Sequence, residues 1–308
     1  MTKLLDAWDI KILSEIEFNY HKTHQEIAKK IRRSKAFVSY RIKKMEELDI
    51  ISYQPLIDYS ALGYTYYRVI IETLLDKEEL VRYIKKSIKA VWLVEKYDKE
   101  NFVIVIAAKS FGDFKNQWES IYEQISSTVL SKNISLAYTV YHLPLSFLNK
   151  KQRTEFYVTG ASKINFVTET EKELLDLIIE SPLMTKYSMA KRLDISINTL
   201  KKTLGNLETK KIILAYQTLI NRSVLGIRHH KLFLSFDFSQ QNKKEVLNLL
   251  MNNPNVIYIT ESSYDCDLEC ELYTFDDASF EKIIKQFKKS LFFRRIVISQ
   301  MKSEVKLF

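Results

Sequence analysis

Apolar residues fall at helical spacing three times near the start of the chain, and the spacing then changes to that of strands. Leu5, Trp8, Ile12, Leu13 and Ile16 make one stripe over residues 4–18. Thr23-His-Gln-Glu26 has the form of a capping box and opens a short helix with Ile27 and Ile31 inward. Ser34 can cap a third helix, whose inward side is Val38, Ile42 and Met45. Leu48 to Ile57 then predicts the strand pair of a wing. Beyond it the pattern predicts strand Tyr64–Glu72, helix Lys77–Ile88, strand Val91–Tyr97, a turn at Asp98–Asn101, strand Phe102–Ala108, helix Phe111–Val129 and strand Ile134–His142. That order is βαββαβ, the ferredoxin-like order.

The same succession returns in the second half. Ala28-Lys29-Lys30-Ile31, Ser34, Val38, Ile42, Met45, Ile50 and Ile51 reappear as Ala190-Lys191-Arg192-Leu193, Ser196, Leu200, Leu204, Leu207, Ile212 and Ile213, each 162 positions later. One residue is then inserted, so that Tyr53-Gln54 matches Tyr216-Gln217 and Leu62-Gly63 matches Leu225-Gly226. Thr168-Glu-Thr-Glu171 is a second capping box, followed by Leu174, Leu175 and Ile178. The strands and helices come back as Lys231–Phe238, Lys243–Met251, Val256–Glu261, Asp265–Tyr273, Ala278–Lys289 and Phe292–Gln300. A register held across three helices and their following strands implies a tandem duplication. The expected fold class is α+β, with two winged helix-turn-helix domains (1–57 and 166–220) alternating with two ferredoxin-like βαββαβ domains (58–145 and 221–308). A polar linker spans 146–165, with a short strand near Phe156 to Val158.

Composition narrows this picture without changing it. A chain of 308 residues with 46% hydrophobic and 28% charged residues has the make-up of folded domains. The formal net charge of +9 favours a polyanionic partner. No apolar run approaches the roughly 20 residues of a membrane span, and Asp6, Asp9 and Lys11 make the N-terminus an amphipathic helix, so a cytoplasmic protein without membrane contact is expected. Cys266 and Cys270, four apart on a predicted strand, lie about 13 Å from each other, too far for a disulfide.

The third helix carries the candidate chemistry. Its inward residues leave Lys35, Ala36, Ser39, Tyr40, Lys43 and Lys44 outward, with Arg32, Arg33 and Ser34 in the turn before it and Phe37 and Arg41 at the edges. Long cations clamp phosphates, and Ser39 and Tyr40 are placed to select bases. The second copy offers Ser196, Ile197, Asn198, Thr199, Lys201, Lys202 and Asn206. It is less basic but holds two amides. The expected partner is double-stranded DNA.

At these residues the chain resembles the Lrp/AsnC transcriptional regulators. Leu5-Asp6-x-x-Asp9-x-x-Ile12-Leu13 looks like their opening helix. Ile27-Ala28-Lys29-Lys30-Ile31 with Ser34, Arg41, Ile42, Leu48 and Ile50-Ile51 looks like their reading head. The resemblance covers nearly the whole chain, twice over. It implies that the βαββαβ units are ligand-sensing and assembly (RAM-type) domains, paired within one chain as a fused dimer that reads an asymmetric site. Further homo-oligomerisation stays open. Arg32 and Asp194 stand where the family has a glycine in the turn, and Asp49 and Lys211 where one opens the wing. The family's glycine-and-aspartate turn beside its amino-acid pocket is reduced to Tyr97-Asp98 and Tyr264-Asp265, candidates for an effector site or an interface. With both glycines missing, an amino-acid effector is disfavoured, while a small-molecule effector as such stays open.

Other chemistry is set aside. In Asp265 to Leu272 strand alternation puts Cys266, Leu268, Cys270 and Leu272 on one face and the carboxylates of Asp265, Asp267, Glu269 and Glu271 on the other, which argues against a metal site. The resemblance implies that this sheet face packs against a second copy, so that Arg68 of the first domain, or Lys231 and Arg295 of the second, would answer the acidic row. The sirohaem decarboxylases look like the same architecture and are the enzymatic alternative. Of the five histidines (His21, His24, His142, His229 and His230), none lies on the strand after Ala90 or on Val256–Glu261. A ligand-sensing or protein-interaction scaffold with degenerate heads is the other alternative. No glycine-rich phosphate loop, nucleophile elbow or paired-carboxylate site stands out. The expectation is a regulator with no catalytic residues, no metal and no cofactor, and not an enzyme.

Overall fold

The computed structural model describes residues 4–87, 90–149, 155–160, 162–237, 239–290 and 292–306. Three helices open the chain: α1 (Ala7–Ile16), α2 (His24–Ile31) and α3 (Lys35–Glu47). Asp6, Thr23 and Ser34 cap them, and the Thr23–Glu26 capping box is formed in full. Arg32 ends α2 at φ 57 and Asp49 follows α3 at φ 52. Both sit in Schellman turns: Arg33 N–H reaches Ala28 O at 3.0 Å and Ile50 N–H reaches Met45 O at 2.8 Å. The positions where glycine was missing thus keep the left-handed backbone that glycine would favour.

The expected wing is not a hairpin. Only one strand, β1 (Ile51–Ile57), follows α3, and its partner is β7 (Ile213–Ile220) from the second half of the chain. The two run antiparallel with Gln54 opposite Gln217, Ile51 opposite Ile220 and Pro55 opposite Tyr216. The register is centred on the glutamine pair, whose side chains approach to 3.5 Å. A one-residue polar–apolar alternation cannot tell a hairpin from a strand waiting for a distant partner.

The rest of the first half is β2 (Thr65–Thr73), α4 (Lys77–Ser87), β3 (Ala90–Lys96), β4 (Phe102–Ala108), α5 (Phe111–Ile125) and β5 (Val129–His142), then a turn of helix α6 (Ser146–Asn149) and a short strand β6 (Tyr157–Thr159). The second half brings α7 (Glu169–Glu180), α8 (Lys186–Arg192), α9 (Ile197–Thr209), β7, α10 (Arg222–Leu225), β8 (Arg228–Phe236), α11 (Gln240–Asn252), β9 (Val256–Ser262), β10 (Leu268–Thr274), α12 (Asp277–Lys289) and β11 (Phe293–Lys306). Asp194 and Lys211 end α8 and α9 at φ 50 and 54, again with Schellman bonds to Ala190 O and Leu207 O. Several boundaries differ from expectation, and β8 and α11 begin three residues early, at Arg228 and Gln240. A 3-10 turn at Ser126–Thr128 ends α5 early and lets β5 start at Val129, β10 starts at Leu268 and not Asp265, and β11 runs on past Gln300. The expected ends Ile88 and Phe238 lie outside the described residues, as do 150–154 and 161 of the expected linker.

The strands close into a ring. Within it, β5-β2-β4-β3 and β11-β8-β10-β9 are two antiparallel runs in ferredoxin-like order. The 14-residue strands β5 and β11 each extend past their own run to pair with β9 and β3 of the other. Helices cover the outside. Val69, Ile71, Ile104 and Ile106 pack under α4 and α5 with Leu80, Phe114 and Trp118, and Leu232, Leu234, Cys270 and Leu272 pack under α11 and α12 with Val246 and Phe287. The alternate residues of each strand point into the ring.

The helical heads are completed across the halves. The core of α1–α3 contains Leu225, Ile227, Ile257 and Tyr273, while the core of α7–α9 contains Ile57 and Ala61. The segment after α1 also lies along β7, with Thr218 N–H bonded to Glu17 O at 2.8 Å and Tyr216 N–H to Phe18 O at 3.1 Å. The linker is tied down as well. Buried Asp58 accepts from Gly160 N–H at 3.0 Å and from the Ser162 hydroxyl, and β6 pairs with Val140–His142.

Candidate nucleic-acid interface and interior chamber

The capped N-terminus of α3 and the turn before it form one exposed basic surface. Arg32, Arg33, Ser34, Lys35, Ala36, Tyr40, Lys43 and Lys44 are exposed and Ser39 is half-buried. Several of these already have local work. Ser34 Oγ accepts from Phe37 N–H at 3.1 Å, and Arg33 stacks on the Trp8 ring at 3.9 Å. Lys43 lies 3.6 Å from Glu47, an exposed pair that is easily given up. Arg41 does not face outward: it binds Asp6 at 2.6 Å and Asp9 at 3.2 Å, fastening α3 to the start of α1. Tyr40, 64% exposed, is the large unshielded side chain of the face.

On α9, Ser196, Ile197, Asn198, Thr199, Lys201, Lys202 and Asn206 are exposed. Ser196 and Thr199 are engaged in the cap, Ser196 Oγ accepting from Thr199 N–H at 3.0 Å and their hydroxyls lying 2.9 Å apart. The amides and lysines remain for a partner. Tyr187 on α8 and Leu183 before it, which sequence reasoning did not single out, are 75% and 59% exposed. They were passed over because the three-helix pattern marks only which residues turn inward.

The four effector-or-interface candidates do not converge on one pocket. Tyr97 is exposed, and Asp98 takes the Ser299 hydroxyl and pairs with Lys96 at 3.5 Å. Tyr264 packs on Phe233 and points its hydroxyl at Glu100 (3.3 Å), and Asp265 pairs with Arg295 at 2.8 Å. Asp98 and Tyr264 therefore make contacts between the two halves, and only Tyr264 of the four lines the interior chamber.

That chamber has a volume of about 710 Å³ and runs from inside the strand ring to the underside of the β1–β7 ribbon. An ion chain crosses its wall. Arg68 grips Glu269 with both terminal nitrogens at 2.6 Å, Lys231 lies 2.7 Å from Glu269 and 3.0 Å from Glu271, and Glu271 meets His229 at 2.8 Å. Of the expected acidic row only Glu269 and Glu271 face inward, because Asp265 and Asp267 precede the strand. Burial raises the Glu269 pKa, but the Lys231 and Arg68 cations outweigh it and hold the carboxyl down at about 2. Arg222 lies 2.6 Å from His229 Nδ1 and 3.0 Å from Glu304. Arginine only donates, so Nδ1 accepts and Nε2–H donates to Glu271. Burial keeps this imidazole neutral by lowering its pKa. The chamber's histidines, His142 and His229, come from β5 and β8 and not from the two strands searched in the sequence. Two donors in wall residues have no partner among the described residues: Arg68 Nε and Trp92 Nε1.

A helical head of this kind defines a class before any individual protein. Residues 5–52 match the family of winged helix-turn-helix DNA-binding domains. No curated protein sequence matches the chain significantly. Among solved structures, siroheme decarboxylase NirDL, seen in complex with an iron-uroporphyrin III analogue, shares the fold over 97% of this chain and 92% of its own, at 14% identity and TM-score 0.63. AsnC-family regulators are also neighbours: the transcriptional regulator NMB0573–L-Met complex from Neisseria meningitidis (14% identity, 45% of this chain and 91% of that chain, TM-score 0.42) and AsnC of E. coli (12%, 46% and 93%, 0.39). The chain thus carries a winged helix-turn-helix at its N-terminus on a mixed α+β fold rich in antiparallel sheet. No helix among the described residues is long and apolar enough to cross a membrane. The expectation that the protein is not an enzyme does not stand, because the full-length fold match is to an enzyme.

Proposed function

We propose that the protein is a sequence-specific DNA-binding transcriptional regulator, a tandem duplication in which two unequal heads (1–57 and 166–220) are carried by two paired RAM-type domains (58–145 and 221–308). The observation that carries this reading is the β1–β7 ribbon. Seven residues at about 3.3 Å each give a ribbon roughly 23 Å long, with α3 joined at one end and α9 at the other in a twofold relation about Gln54 and Gln217. Third helices held in that way suit successive major-groove faces, about 34 Å apart. In the first head Arg32, Lys35, Lys43 and Lys44 would hold phosphates, and Ser39 and Tyr40 would select bases. In the second, Lys201 and Lys202 would hold phosphates, and Asn198 and Asn206 would read adenine edges.

Binding of the full chain to randomised duplex DNA at two salt concentrations, with sequencing of the retained fragments, tests this. A two-part, unequal motif is expected. Replacing Lys43 and Lys44 together should weaken binding on all sequences and lower the salt slope by about 0.9 per lost phosphate contact. Binding equally tight after removal of the whole Lys35–Lys44 face would end the proposal.

A second reading is favoured by the full-length fold match: decarboxylation of a tetrapyrrole in the interior chamber, with His142 and His229 on its wall. The chamber's cations weigh against it, since Arg68, Lys96, Lys231, Arg222 and Lys302 are each already paired with a carboxylate. A tetrapyrrole absorbance on the purified protein, with mass loss of one carbon dioxide per turnover, would establish it.

A further inference from the structure

The two heads match in pattern and differ in attachment. Residues 17–20 run along β7 as a third strand of the ribbon. Thr218 N–H donates to Glu17 O at 2.8 Å, Tyr216 N–H to Phe18 O at 3.1 Å and Tyr20 N–H to Tyr216 O at 3.0 Å. The repeat puts Pro182 where the first head has Tyr20, and Pro55 where β7 has Thr218. Proline has no N–H to donate, so two of those three bonds have no counterpart in the second head. Among the described residues no backbone hydrogen bond joins 179–183 to β1. The ring widens the difference. The core of the first head takes in Phe147 of α6, Ile257 of β9 and Tyr273 of β10. Glu17 accepts from Leu145 N–H at 2.5 Å, and Asn149 Nδ2–H donates to Ser14 Oγ at 2.7 Å. Among the described residues, the core of the second head takes from the first half only Ile57 and Ala61, with Tyr59 and Leu62 packed on it, and nothing from the strands of the ring.

We propose that the first head is a fixed part of the ring and that the second pivots on residues 57–62 and the end of the ribbon, freed by Pro55 and Pro182. Regions with few buried contacts and unpaired backbone are the ones that move. The ribbon still sets the separation between the roots of α3 and α9, so what the second head gains is tilt. The consequence for DNA rests on the two-headed reading above: the first head is preset, and the second settles on its half-site.

Residual dipolar couplings of the full, deuterated chain in a dilute aligning medium test the pivot without DNA. The first head and the ring should share one alignment tensor, and the second head should show couplings reduced by roughly a fifth or more. Pro55→Thr with Pro182→Tyr returns both N–H groups and should bring the second head to the order of the ring. The couplings of the parent decide the matter if that variant does not fold. Adding a duplex that both heads bind should raise the second head's couplings and leave the first's alone. A chain that binds no DNA would end the regulator reading, while the pivot would still be decided by the couplings of the free chain. A second head as ordered as the ring in the parent, or a folded double variant with unchanged couplings, would overturn the proposal.

Discussion

His230 shows how one residue's surroundings set a property of the whole chain. It lies on the helix side of β8, buried, with its ring stacked 3.8 Å from that of Phe280. Burial, and after it the neighbouring His229, pull its pKa down to about 4 from the ordinary 6.5. Between those values the unfolded chain binds the proton and the folded chain does not, so stability falls as pH drops from 6.5 towards 4. His229, also lowered by burial, acts in the same direction. Glu269 enters later: with its pKa held at about 2, its contribution is complete above 4.5 and is lost only as pH falls below that. Urea unfolding at pH 7 and pH 5 therefore isolates the histidines. His230→Phe should show a distinctly smaller loss between the two pH values than the parent, and an equal loss would refute the assignment. The sequence could not have foretold this, since His229-His230 on a strand says only that one of the pair faces the helices. Arg32, Asp49, Asp194 and Lys211 were legible only through the resemblance, since they stand where that family has glycines, and each keeps the left-handed backbone.

Among the elements, β6 and the strands after the heads carry the difference between what the chain spells and what it builds. The turn residues around Gly160 read as linker, yet they are pinned. Gly160 has φ 88, and a Cβ there would stand 1.9 Å from Tyr138 O. Gly226 has φ 63 and open space around it. Gly226→Ala should cost about 1 kcal/mol, the price of left-handed backbone alone. Gly160→Ala must in addition push β6 off β5 and disturb Asp58, and should cost about 3 kcal/mol or more. Denaturant unfolding of the two variants gives the comparison, and equal losses would mean that β6 contributes nothing to stability. The helices and most strands were readable because each buries one face against its neighbours in sequence. The wing was misread because β1 buries its backbone donors against β7, and a partner 163 residues away leaves no local mark. Glu269 and Glu271 were legible as a charged row, since the two faces of a strand separate in sequence, whereas Arg68 and Lys231 were reached only through the resemblance to a fold that packs this face on a second copy.

For the molecule as a whole, the crossed packing makes the halves interdependent. The first head needs Leu225, Ile227, Ile257 and Tyr273, and the second needs Ile57 and Ala61. The ring needs β5 on β9 and β11 on β3. A half produced alone exposes a broken head core, both open edges of its four-stranded run and an unpaired ribbon strand, all of which favour aggregation or self-pairing. Residues 1–149 and 155–308 made together should instead associate, because every contact just named lies between chains that need not be covalently joined. Copurification of an untagged half with a tagged one, as a 1:1 complex melting in a single transition, is the expected result. The covalent link then serves to hold one first half against one second half, which keeps α3 and α9 on the same particle. Halves that fold and stay monomeric when made separately would show that the crossed cores are dispensable. The two heads would in that case be free to move apart, and the fixed spacing on which an unequal two-part site depends would go with them.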